Sequence, residues 1–210
     1  MSNVWFARQS PELRNALIRE GRPMERRPGQ WVYGEGEENT GLCAVLSGAL
    51  RLEASAGPQR DVLIGIAPAV SVFGQSRRRG GGPRIVTARA GPISTVLLVS
   101  DKALDRIGQQ TPEVWRAMSE LVYDQLDAAV HLTAQLLVLR PRARVAMRIA
   151  LIAQDSVAHV GQGDLAELTG LSRKAVNSHL AALAALGIVA PAYGHIRVLD
   201  AAGLARVASA

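Results

Sequence analysis

The chain has 210 residues, 48% hydrophobic and 4% aromatic, with a formal net charge of +6 and an isoelectric point near 10.4. That length allows one or two domains, with a core built mainly from Leu, Val, Ile and Ala, and the basic balance points toward polyanionic partners. A single cysteine, Cys43, excludes an intrachain disulfide framework and a thiolate metal cluster within one chain; with no apolar run of roughly 18 residues and no basic-then-apolar segment in Met1–Ser10, a cytoplasmic location is expected.

Pro11 to Glu20 predicts a short helix, with Pro at its start, apolar residues at Leu13, Leu17 and Ile18, and Gly21 closing it. From Gly29 to about Ser100 short β-rich runs alternate with Gly and Pro breaks: Trp31–Tyr33, Cys43–Leu46, Ala49–Glu53, Asp61–Ile66, Arg84–Ala88 and Thr95–Ser100. This texture predicts a small antiparallel roll or barrel. Cys43, inside the apolar run Leu42 to Leu46, reads as a buried small hydrophobe rather than a reactive thiol. The basic, glycine-rich stretch Arg77 to Pro83 reads as a solvated turn, with a phosphate grip or an import signal as the competing readings.

Pro112 to about Val138 holds no further Gly or Pro, and its period turns helical. Val114, Met118, Leu121 and Val122 form a ridge that Leu126, Ala129, Leu132, Leu136 and Leu137 continue. So long a stripe exceeds what a small roll covers, so part of it is expected to meet a second copy; Met118, Leu121, Val122, Leu132 and Leu136 are the candidate contacts. Packing on its own domain alone is the competing reading. His131, on the same helix, reads as a polar-face or interface residue, because no second metal ligand lies near it in sequence. Pro141 then breaks the helix and marks a hinge, after which Arg142 to Ala153 resumes as an amphipathic helix.

The last third carries eight Arg or Lys against four acids, so residues 140–210 hold +4 of the +6. Within it, Gly163 to Val189 has the spacing of a helix-turn-helix. Asp164–Thr169 makes a first helix, Gly170-Leu171 a tight turn where glycine tolerates a positive φ, and Ser172 caps a second helix with Val176, Leu180 and Leu183 inward. The outward face reads Arg173, Lys174, Asn177, Ser178 and Ala181. Arg and Lys reach guanine O6/N7, Asn reads adenine, and Ser serves base or phosphate. Ser172 and the helix N-terminus supply donors for a backbone phosphate. The run around Tyr193-Gly194 predicts a hairpin wing, from which His195 and Arg197 reach toward phosphates; plain solvent exposure is the equal alternative for His195.

With these elements in order, the chain resembles the CRP/FNR family of bacterial transcription regulators over nearly its whole length. The resemblance rests on Gly29 to Gly36, on Leu42 to Leu52, and most specifically on Gly170-Leu-Ser-Arg-Lys-Ala-Val176. It implies an α+β fold: an N-terminal antiparallel β-roll of double-stranded β-helix type, a long dimerisation helix and a C-terminal winged helix-turn-helix. The expected divisions are a cyclic-nucleotide-binding-like domain over 1–110, the helix over 111–139 and the DNA-binding domain over 140–210. The implied partners are double-stranded DNA, a second copy of the chain and RNA polymerase.

The family's cyclic AMP site matches poorly. Its Gly-Glu is here Gly74-Gln75, its later Arg-Ser or Arg-Thr is Arg84-Ile85, and the Thr-Ser on its long helix is Ala129-Val130. Its short helix between the first two pairs is replaced, on this reading, by the Arg/Gly loop. These losses imply a regulator not controlled by cyclic AMP, with no cofactor, no metal and an unidentified effector if any. The four cysteines of the iron–sulfur regulators are absent, and no haem ligand pair stands out. The recognition helix also departs from the family's common Arg-Glu pattern, since Lys174 cannot accept from cytosine N4 as a carboxylate does. The alternatives are a sensor of another ligand in the altered roll and a protein-binding regulatory subunit with a vestigial DNA-binding tail. With no nucleophile–base pair in view, an enzyme is not expected.

Overall fold

The computed structural model describes residues 4–57 and 60–209. They form two compact units, one reaching to Ala128 and the other starting at Ala129.

The first unit opens with helices α1 (Val4–Arg8) and α2 (Pro11–Glu20). Ser10 caps α2 by accepting from the Leu13 amide at 3.1 Å, and Pro11 occupies the first helical position, where its missing N–H is no loss. Eight strands follow: β1 (Arg22–Arg26), β2 (Trp31–Tyr33), β3 (Gly41–Ser47), β4 (Ala49–Ser55), β5 (Asp61–Pro68), β6 (Val72–Gln75), β7 (Thr87–Ala90) and β8 (Ser94–Ser100). They pair antiparallel in two four-stranded sheets, β1-β8-β3-β6 and β2-β7-β4-β5, which is the expected roll. Between them lies a core of Tyr33, Cys43, Val45, Leu50, Phe73, Ala88 and Val96. Cys43 is fully buried there, as its apolar setting predicts.

Helix α3 (Asp101–Gln110) and the first half of α4 (Val114–Val138) pack with α2 over a second core that includes Leu13, Leu17, Leu104, Ile107, Val114, Met118 and Leu121. Three expectations change here. Met118 and Leu121 belong to the protomer's own core and are not free to meet a second copy. The Arg84–Ala88 strand starts only at Thr87: the backbone of Arg84 exchanges hydrogen bonds with Gly36 (2.8 Å) and Glu37 (2.9 Å), which draws it away from the sheet. The Arg/Gly loop keeps one turn of 3-10 helix at Arg77–Arg79, tied down by Arg77–Glu38 (2.7 Å) and Arg78–Asp105 (2.9 Å) ion pairs, so it is not a loose solvated turn.

The second unit continues α4 and then forms α5 (Pro141–Ile152), β9 (Val157–Ala158), α6 (Gln162–Thr169), α7 (Arg173–Ala185), β10 (Val189–Ala192), β11 (His195–Val198) and α8 (Ala201–Ala208). Pro141 again stands at the first helical position. The three short strands pair in the order β10-β11-β9, with Ala192 opposite His195 across the Tyr193-Gly194 loop. None of the described helices is long and apolar enough to cross a membrane.

Candidate nucleic-acid interface and altered effector pocket

The α6–α7 pair is held by apolar residues at helical spacing: Leu165 and Leu168 from α6, and Val176, Leu180 and Leu183 from α7, all buried. Gly170 stands between them at φ +64°, the left-handed conformation. A side chain there would meet nothing closer than Arg144 Nη1 at 3.9 Å, so backbone conformation rather than space demands the glycine. Arg144 of α5 donates to the Thr169 carbonyl at 2.9 Å and anchors this turn from behind. Ser172 then caps α7 by accepting from the Ala175 amide at 3.2 Å.

Packing those apolar residues inward leaves Arg173, Lys174, Asn177, Ser178 and Ala181 exposed on one face of α7. Arg173 and Lys174 lie at the positive end of the helix dipole, where a cation is unfavourable by roughly 0.3–1 kcal/mol. Neither has a carboxylate partner among the described residues. Beside this face the β10–β11 hairpin presents a fully exposed Tyr193 and an exposed Arg197. His195 is half-buried and donates from Nδ1 to the Tyr193 carbonyl at 3.2 Å, so it steadies the hairpin loop.

Helix α8, which the sequence does not announce, packs on α5 and buries Leu204. Asp200 caps it by accepting from the Gly203 amide at 2.8 Å.

The residues matching the family's nucleotide site have other engagements. Gln75 donates to the carbonyls of Gly82 (2.7 Å) and Pro83 (2.6 Å), closing the glycine-rich loop. Ile85 is exposed. The buried guanidinium of Arg84 donates to the Asn39 (3.2 Å) and Gly41 (3.0 Å) carbonyls and lies 4.1 Å over the centre of the Tyr33 ring, a cation–π arrangement. Tyr33, not singled out from sequence, meets Phe73 edge-on at 6.4 Å. Burial raises the Tyr33 phenol above its usual range, and it pushes the Cys43 thiol up to about 12, with the Arg84 charge opposing in both cases. Gly74 carries φ +149°, and a Cβ there would stand 2.3 Å from the Gly41 carbonyl oxygen. Ala129 and Val130 are exposed on α4.

Residues 133–207 match the Crp-like helix-turn-helix domain. Over 216 aligned positions the chain is 27% identical to the CRP-like cAMP-activated global transcriptional regulator of Mycobacterium tuberculosis, covering 96% of this chain and 94% of that protein. Among solved structures, FixK2 from Bradyrhizobium japonicum is similar with a TM-score of 0.79 and 20% identity, covering 90% of this chain and 98% of that one. A CRP/FNR-family transcriptional regulator from Thermus thermophilus is similar with a TM-score of 0.70 and 21% identity, covering 90% and 99%. The two structures carry the fold. The chain thus carries a Crp-like helix-turn-helix domain and is similar over nearly its whole length to a CRP-like transcription regulator.

Proposed function

We propose that this regulator works as a homodimer that reads a two-fold operator with one α7 per protomer. The observation that carries this reading is the α7 face itself. Two cations without carboxylate partners among the described residues sit against the helix dipole, beside two short polar side chains, on a helix whose other side is buried. A polyanion relieves that electrostatic conflict, and the residue types suit base edges in a major groove. Arg173, Lys174, Asn177 and Ser178 then contact bases, while Ser172 and Arg197 contact phosphates.

Support for the dimer comes from α4. Val122, Leu126, Val130 and Leu137 are 44–82% exposed and fall on one stripe of the helix. A second copy of the same stripe gives them cover. Leu132 and Leu136 are half-buried beside it.

Cyclic AMP control is not part of this reading, although the Mycobacterium relative is named for it. Gln75 and Arg84 are committed to backbone carbonyls, and Ile85 offers no hydroxyl. RNA polymerase is the natural further partner of such a factor, and the chromosome places its work in the cytoplasm.

Selection of DNA from a random pool by the purified full chain, followed by salt titration, tests this function. The expected result is a near-palindromic site with half-sites roughly 34 Å apart and an affinity that falls steeply with salt. A pool with no enriched sequence contradicts it. Calorimetry with cyclic AMP is expected to show no micromolar binding; binding that raises operator affinity refutes the effector part alone.

A further inference from the structure

The first unit carries a cleft of about 1020 Å³ walled by the α2–β1 junction, the loop 38–40, the 3-10 turn and the start of α3. Six cations line it: Arg22, Arg77, Arg78, Arg84, Lys102 and Arg106. Three carboxylates, Glu20, Glu38 and Asp101, oppose them, and Asp105 pairs with Arg78 at 2.9 Å, which leaves a surplus of two positive charges. A concave surface with one dominant sign focuses its field and raises the local concentration of the opposite ion.

The walls are built rather than adventitious. Thr40, almost fully buried, donates its hydroxyl to the Asp101 carboxylate and accepts from the Arg77 amide at 3.0 Å. The same residue's carbonyl accepts from the Asp101 amide at 3.2 Å. One buried threonine thus ties the arginine turn to the first residue of α3. Arg84 is held from inside by the carbonyls of Asn39 and Gly41.

Ion pairs occupy Arg77 (with Glu38), Arg78 (with Asp105) and Arg106 (with Glu20, 2.6 Å). Arg22 and Lys102, which come from β1 and α3, pair with no carboxylate among the described residues. A mainly charged lining suits an anion rather than an apolar ligand, and the volume is that of a nucleotide-sized pocket. One phosphate group brings roughly −1.5 to −2 at neutral pH, which matches that surplus.

We propose that this cleft binds a small metabolite through a phosphate group, with Arg22 and Lys102 as its anchors. The proposal is independent of the operator reading, because neither anchor lies in the DNA-binding unit.

The test is calorimetry on the full chain with inorganic pyrophosphate, ADP and inorganic phosphate, at low salt and at physiological ionic strength. The Arg22→Ala/Lys102→Ala variant is compared with Arg173→Ala/Arg197→Ala. Both cleft anchors are exposed, and circular dichroism verifies that their replacement leaves the fold intact. Inorganic phosphate, pyrophosphate and ADP are each expected to bind once per protomer. The cleft variant is expected to weaken them about a hundredfold, roughly tenfold per charge-assisted bond lost, while the DNA-face variant leaves them unchanged. Absence of binding at millimolar pyrophosphate and ADP overturns the proposal. So does a loss confined to the DNA-face variant. Operator binding by the cleft variant is expected to stay intact, so failure here is separable from failure of the operator reading.

Discussion

The side-chain amide of Gln125 is bonded twice to the backbone of Gly74. Its oxygen accepts from the Gly74 amide at 3.2 Å, and its nitrogen donates to the Gly74 carbonyl at 3.0 Å. The long helix is thereby fastened to strand β6. Gln125→Leu removes both bonds and is expected to destabilise the first unit by about 1–3 kcal/mol, read by urea unfolding. Gly74→Ala is expected to be the more damaging change, since its Cβ would collide with the Gly41 carbonyl. Equal stability of Gln125→Leu and the native chain contradicts the latch.

Along α4 the exposed stripe and the buried ridge separate two kinds of mutation. Leu126→Glu with Val130→Glu is expected to yield a folded monomer, because both positions face solvent in the protomer. Leu121→Ala is expected to keep the dimer but lose about 2–5 kcal/mol of stability, as large-to-small core changes do. Sedimentation and thermal melts distinguish the outcomes. A native protein that sediments as a monomer at micromolar concentration removes the dimer from the account.

The helix-turn-helix is legible in the sequence because its signals are local. A turn glycine, a serine cap and apolar residues three and four apart lie within one short stretch, and each is recovered in the structure. Strand β1 is not legible: Arg22–Arg26 shows no apolar alternation, and its identity as a strand comes from pairing with β8, far along the chain. The same holds for the interior of the roll, where Tyr33, Cys43 and Arg84 converge from β2, β3 and the segment before β7. The dimer stripe fails differently. Helical periodicity finds the apolar residues but cannot say which of two adjacent ridges the protomer keeps for itself, and Met118 and Leu121 went to the core.

Burial of Cys43 has a consequence at high pH. Its thiol is pushed from 9.0 to about 12, so the folded chain keeps a proton that the unfolded chain releases. The associated stability is present below about pH 9 and is lost as pH rises toward 12; Tyr33, raised in the same direction, adds to it. Iodoacetamide at neutral pH is expected to label Cys43 only after unfolding. Labelling of the native protein at the rate of a free thiol contradicts the buried, protonated state.

The most direct measurement concerns which arginine reads sequence. Arg173 stands in the first turn of α7, and its planar fork can bond guanine O6 and N7 together; Arg197 stands exposed on the wing. Affinities of Arg173→Ala and Arg197→Ala are to be measured on the selected operator and its single-base variants at several salt concentrations. Arg173→Ala is expected to lose about 1–3 kcal/mol and relax preference at one base pair in each half-site. Arg197→Ala is expected to weaken all sequences alike and lower the salt slope by about 1. If Arg173→Ala weakens every variant equally, Arg173 is a phosphate clamp and the central claim fails.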